Sequence, residues 1–435
     1  MKSPKIPALL LVATTLVGCA EDDPVNCHHR VCDIREASCV EFVAEVVACQ
    51  REVPVVQPTV HFATTAEILA SLEQPTPEQL EFERDYWAGE ALVGLMPEGY
   101  DPASSASDGL SGVLAFYSWD TEEIVVISDA NIDDEEQAYR VLVHEMIHAQ
   151  QDAEYDLEQL WSEFATTFPR SLGVRAALEG EAVLFTNLAD LERLHLSPDD
   201  VDWNGYFDDW QTDMLELARN SDTPSLDVTG LFPYAFGGEL VYQAWDAGGI
   251  DAVRSFVLMP PDSARDVLGR VYGGGAPANL DTELAPHAVP VLPGHTYLGG
   301  GGQDAWLINI MLQRRAGAGA LWNNQAASIA ADHLSVWKEN ETGAHVAVWR
   351  LVGDSQEVHA LLAGSGSSWV DVPELATTYF MFPIEDDWVL VATETDNAVD
   401  VADAITGWQS QEDALAAAEL VREPRARELV LHGHR

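Results

Sequence analysis

His144 and His148 stand four residues apart with Glu145 between them, inside a run from about Asp133 to Gln151 that reads as one helix. A helix rises 1.5 Å per residue and turns every 3.6 residues, so side chains at i and i+4 leave the same face roughly 6 Å apart. Two imidazoles placed in this way can bind one zinc ion, and a carboxylate one step round the helix reaches the water beside it. Asp133 or Asp134 can cap this helix, and the acids Asp133-Asp134-Glu135-Glu136 suit its positive end. The chain must therefore fold so that a third ligand from elsewhere meets one face of this helix.

A catalytic zinc takes three protein ligands and keeps a fourth position open. A third histidine six residues after His148 is ruled out, because Glu154 stands there. The candidates lie instead in Ala177-Leu178-Glu179-Gly180-Glu181-Ala182, where thirty residues separate His148 from Glu179. Glu179 is the first candidate and Glu181 the alternative. Asp152, one turn past His148, can accept the imidazole's other N–H and orient the ring. Other chemistries have little to stand on. All five cysteines lie before residue 50, no Gly-x-Ser-x-Gly elbow occurs, and Gly299 to Gly302 has no Lys-Ser/Thr after it and reads as a flexible loop.

The N-terminus carries Lys2 and Lys5 before an apolar run from Ala8 to Val17, the layout of a signal peptide spanning residues 1–18. Leu16-Val17-Gly18-Cys19 resembles a lipobox, which makes Cys19 the expected lipidation site and an N-terminal lipid the only expected membrane attachment. The formal charge is −50, and Lys338 is the single lysine after Lys5. So acidic a surface repels nucleic acid and anionic lipid, which excludes DNA or RNA binding as a primary role. Cys27, Cys32, Cys39 and Cys49 fall within 23 residues. In an exported chain they imply two disulfides with three possible connectivities, the competing reading being a metal cluster around Cys27-His28-His29.

Along the chain, 59 to 100 reads mainly helical, with Thr76-Pro77-Glu78 as a helix start. Val113 to Tyr117 and Ile124 to Ile127 read as a hairpin. Helices are expected near Val174 to Leu191, Pro233 to Ala247 and Ser263 to Val271, and a Gly/Pro-rich boundary at Gly273 to Pro293. Beyond it, Asp304 to Arg314 and Ala326 to His333 read as helical. Leu334 to Glu339, His345 to Leu351, Tyr379 to Pro383 and Trp388 to Thr393 read as strands. The pattern is α+β.

The segment Leu178-Glu179-Gly180-Glu181-Ala182 resembles the Leu-Asn-Glu-Gly-x-Ala ligand segment of gluzincin aminopeptidases. His144 to Asp152, HEMIHAQQD, resembles more closely the HExxHALQD segment of a group of secreted gluzincin-like proteins of bacteria and archaea. The likeness continues through Ala115-Phe116-Tyr117, Tyr234-Ala235-Phe236-Gly237, Gly248-Gly249 and Pro260-Pro261. Gln150 departs from that group's leucine, and the spacing from His148 to Glu179 is longer than in the aminopeptidases.

The resemblance implies a zincin-like metallopeptidase domain, a small antiparallel sheet plus helices, over 58–285. Around it are expected a lipidated Cys-rich module and linker over 19–57 and a smaller α+β domain over 286–435. It implies His144, His148 and Glu179 as zinc ligands, Glu145 as general base and Tyr234 as the hydrogen-bond donor to the oxyanion. The strand from Ile124 to Ser128 is expected to pair with substrate backbone as an edge strand. The implied activity is zinc-dependent peptide hydrolysis on a peptide or protein substrate, at the periplasmic or outer face of the cell envelope. The rival is a non-catalytic surface binding or structural lipoprotein with a vestigial zinc site.

Overall fold

The computed structural model describes residues 27–72, 74–132, 134–272, 292–316, 326–327, 329–353, 378–384 and 387–394. The expected signal peptide, Cys19 and the boundary segment up to residue 291 lie outside the described residues.

Capping chemistry accounts for most helix starts. Helix α1 (Ala37–Arg51) follows the cysteine-rich entry, and α2 (Thr65–Ser71) opens on a capping box formed by Thr64 and Glu67. At α3 (Pro77–Leu92), Thr76 and Gln79 form a second capping box with Pro77 in the first turn, where its missing N–H costs nothing. After the short α4 (Ser105–Leu110), the central helix α5 (Glu135–Tyr155) is capped by Asp134, which accepts from Gln137 N at 2.9 Å. Asp156 ends α5 in the left-handed region (φ 57°), which a short polar side chain tolerates. The same residue caps α6 (Leu157–Phe164) through Gln159 N.

Thr167 then starts α7 (Phe168–Arg193). It is followed by α8 (Trp203–Asn220), the one-turn α9 (Pro224–Asp227), a π-helical turn at Pro233–Gly237, α10 (Gly238–Leu258) and α11 (Ala264–Val271). Gly248 and Gly249 break α10 into two parts with non-helical backbone. Among the described residues the last of these helices is α12 (Asp304–Ala316). Among the described residues no helix is long and apolar enough to cross a membrane.

Among the described residues, two sheets complete a mixed α+β fold. The first has the order β1-β3-β2, with β1 (Thr59–Ala63), β2 (Ala115–Ser118) and β3 (Glu123–Ile127). The expected hairpin is present, Ala115 opposite Val126, but β1, expected to be helical, is a strand that runs parallel to β3 from Thr59↔Glu123 to Ala63↔Ile127. The sheet is therefore mixed rather than antiparallel. Both sides of β3 are taken, which overturns the expectation that Ile124 to Ser128 forms an edge open to substrate.

The second sheet is antiparallel in the order β4-β5-β6-β8-β7: β4 (His295–Gly301), β5 (Ile329–Glu339), β6 (His345–Gly353), β7 (Thr378–Ile384) and β8 (Asp387–Thr393). Ile329 to His333, expected to be helical, is strand, because pairing with β6 from Ile329↔Gly353 to His333↔Arg350 outweighs the helix propensity of its alanines. Gly299 to Gly301, expected as loop, pairs with Leu334 to Val336 at the end of β4.

Two cores organise these layers. One joins α1, β2, β3, α5, α7 and α10 through Val43, Val47, Ile124, Leu142, Phe185 and Val241. The other joins the end of α3, α8, α11 and α12 to the second sheet through Leu92, Phe232, Phe236, Trp306, Trp349 and Leu390. The cysteine-rich segment is thus packed into the same core as the histidine helix. Its cysteines pair Cys27–Cys49 and Cys32–Cys39. That overturns the alternative of a Cys27-His28-His29 metal cluster, and His29 Nδ1 instead lies 2.8 Å from the Tyr139 hydroxyl. Two disulfides are the mark of an oxidising compartment outside the reducing cytoplasm.

Candidate metal centre

Helix α5 is buried along most of its length, so His144, Glu145 and His148 point into protein rather than solvent. Helix α7 crosses it and brings Glu179. The π-helical turn brings Tyr234, whose ring stacks on His144 with centroids 5.8 Å apart. Two glycines permit this approach. A Cβ on Gly180 would lie 2.4 Å from the Gly237 carbonyl oxygen, and one on Gly237 would lie 2.1 Å from that of Ala176. Backbone meets backbone there, and any side chain would push Tyr234 away from Glu179.

His144 Nε2 lies 3.2 Å from Glu179 Oε2, His148 Nε2 lies 3.3 Å from the same oxygen, and the two Nε2 atoms are 3.2 Å apart. Ligand atoms held about 2.0–2.1 Å from a tetrahedral zinc are separated by about 3.3 Å, so the three atoms already have the spacing of one face of such a tetrahedron. Two buried carboxylates, Glu145 and Glu179, accompany the imidazoles, and a divalent cation would balance them. The group His144, His148 and Glu179 could hold a metal ion, and it is the one such cluster among the described residues.

A second layer fixes the rings. Gln151 Nε2 donates to the Leu178 carbonyl and to Glu181 Oε2, both at 2.9 Å, which leaves its Oε1 as acceptor 2.7 Å from His148 Nδ1. The proton on Nδ1 is thereby set, and Nε2 is the atom that faces Glu179. Asp152, expected in this role, is elsewhere: it accepts from the Tyr117 hydroxyl at 2.8 Å and from Leu157 N at 3.0 Å. Glu181 is turned away from the histidines, and Arg51 Nη2 binds it at 2.6 Å. Sequence reasoning passed over Gln151 and Arg51. Gln151 had a signal, three residues after His148 and so on its face of the helix. Arg51 had none, being 130 residues from Glu181.

Burial depresses the His144 imidazole below its ordinary range. For His148 burial acts the same way but is outweighed by the charge and hydrogen bond of Glu179, which lift it to about 9. Burial, and then the charge of Glu179, raise Tyr234 well above an ordinary phenol, so it stays a donor, and it hydrogen-bonds Glu179. The charge of Glu145 acts on both His148 and Tyr234, which places it beside the triad. The centre is enclosed: Glu145 and Glu179 are 0 % exposed, His144 1 %, His148 2 % and Tyr234 3 %.

Comparison with family models, with curated proteins and with solved structures finds no match to this chain. What the site means therefore rests on its geometry.

Proposed function

We propose that the chain is a zinc-dependent peptidase of gluzincin type with a zincin-like catalytic domain, exported and lipid-anchored through Cys19. His144, His148 and Glu179 would hold the zinc, which when bound polarises a scissile carbonyl and acidifies a water molecule. Glu145 takes the proton of the attacking water and passes it to the leaving amine, and the Tyr234 hydroxyl donates to the developing oxyanion. The substrate is a peptide or protein, the membrane is met through lipid alone, and nucleic acid is not a partner.

The observation that carries this reading is the triangle of ligand atoms at 3.2–3.3 Å with Glu145 and Tyr234 beside it. Its test is Glu145→Gln, which keeps the size of the side chain but cannot take a proton. Zinc content should persist while cleavage of a diverse peptide library falls by roughly 10²- to 10⁴-fold. Cleavage equal to wild type would remove Glu145 from the mechanism. For the anchor, a palmitate-analogue label should tag the wild type and vanish in Cys19→Ser.

One observation favours a second reading, a binding or structural lipoprotein whose metal site does no chemistry. Every residue of the centre is at most 3 % exposed, so substrate can enter only if the enclosing elements move. A zinc-loaded wild type that cleaves nothing in the library decides for that reading.

A further inference from the structure

Behind the histidines runs a chain of buried polar contacts that ends in the disulfide-bonded helix α1. Arg51, in its last turn and 1 % exposed, reaches Glu181 Oε1 with Nη2 at 2.6 Å and Nε at 3.2 Å. Glu181 Oε2 takes the Gln151 amide, and Gln151 Oε1 holds His148 Nδ1. The Tyr155 hydroxyl adds a contact to Glu181 Oε1 at 3.4 Å.

The end of α1 is itself tied down twice. Cys49, two residues before Arg51, is bonded to Cys27. Arg254, beyond the break in α10, donates to the carbonyl oxygens of Arg51 at 2.9 Å and Glu52 at 3.1 Å, and shares Glu154 with Arg51. An amide set between two acceptors and an imidazole is a sensitive positioning device. Once Arg51 is gone, Glu181 has lost its partner of fixed, forked geometry and the amide can rotate.

We propose that helix α1 is part of the metal centre: Arg51, fastened by the Cys27–Cys49 disulfide, positions His148 for the metal through Glu181 and Gln151, so that full metal affinity requires this disulfide. The proposal rests on the metal-binding reading of His144, His148 and Glu179 and adds to it a dependence on a segment that contributes no ligand. It makes metal loading follow oxidative folding, so that the site matures in the compartment where the disulfide forms.

The test is zinc affinity of the purified chain, measured by competition with a chromophoric chelator far below the melting temperature, with the Co²⁺ absorption spectrum as a second readout. Arg51→Met should bind zinc about 10- to 100-fold more weakly and shift the Co²⁺ bands. Arg51→Lys keeps the charge but not the fork and should fall between Arg51→Met and wild type. Cys27→Ser with Cys49→Ser should weaken zinc in the same direction. Cys32→Ser with Cys39→Ser, at the other end of α1, should stay within about threefold of wild type. A purely structural Arg51 would lower the melting temperature without changing affinity or spectrum, and folded Arg51→Met within about threefold of wild type overturns the proposal. Should Arg51→Met not fold, Arg51→Lys and the Cys27/Cys49 pair decide in the same way. A wild type that takes up no zinc sinks the metal reading and this proposal together, whereas a zinc-binding wild type with unaffected variants sinks only the proposal.

Discussion

Around Glu179 the neighbours are imidazole nitrogens and a phenol, whereas around Asp304 and Asp332, equally buried, they are almost entirely backbone N–H groups. Asp304 accepts from Ala264 N and Ala305 N at 2.6 Å and from Arg265 N at 3.2 Å, so it caps α11 from the start of α12. Asp332 accepts from Gln303 N at 2.8 Å, Asp304 N at 2.9 Å and the Trp349 indole at 2.8 Å. Burial pushes both carboxyls up, Asp304 to about 7 and Asp332 to about 6, against the pull of those donors. The acid pair near the second sheet finds its donors within the chain and needs no ion. At the histidine helix, lone pairs from three side chains converge on one point, which a cation resolves far better than a proton. Burial of an acid is therefore a poor guide to function, and the chemistry facing it is a good one.

The largest effect expected of this difference is on metal content. His148→Ala should lose zinc by orders of magnitude, since a site of three ligands is left with two, while Asp304→Ala should keep the full complement. Metal analysis of the two purified variants checks both, and zinc lost in Asp304→Ala would erase the distinction. Next comes stability. Asp304→Ala strips acceptors from three buried N–H groups and should cost about 3 kcal/mol in urea unfolding, with the metal-loaded and metal-free proteins affected alike.

The pH dependence sharpens the same contrast. The raised carboxyls mean that between about pH 4 and about pH 7 the folded chain holds protons that the unfolded chain has released. Stability from these two groups is thus complete below about pH 4 and falls as pH rises to about 7. Asp304→Asn should flatten that slope in urea unfolding of the metal-free protein, and an unchanged slope would show that Asp304 is ionised throughout. The smallest effect is at Asp152. Because it serves Tyr117 and Leu157 rather than His148, Asp152→Asn should cost about 1 kcal/mol and leave zinc affinity unchanged, as chelator competition would show.

Local features were legible in proportion to how locally they are decided. The capped helix carrying His144 and His148, the hairpin of β2 and β3, and the capping serine of α11 all follow from residues within a few positions of one another. Strand β1 is hidden in the sequence because its partner among the described residues, β3, lies some sixty residues away and pairs with it in parallel. The first half of β5 reads as helix in sequence because its alanine-rich run becomes a strand only through pairing with β6, which follows later in the chain.

By itself the sequence determined a helix that presents two imidazoles and a carboxylate on adjoining faces, and it narrowed the candidates for a third metal-binding side chain to Glu179 or Glu181. It also favoured disulfides over a metal cluster for Cys27, Cys32, Cys39 and Cys49, and the structure decided it by pairing Cys27–Cys49 and Cys32–Cys39. Only the tertiary structure separated the two glutamates. They lie on one helix two residues apart and so face opposite ways, and it is the packing of α5 on one side and α1 on the other that turns Glu179 to the histidines and Glu181 to Arg51. No local pattern encodes that choice, because it depends on which neighbour each face of α7 meets.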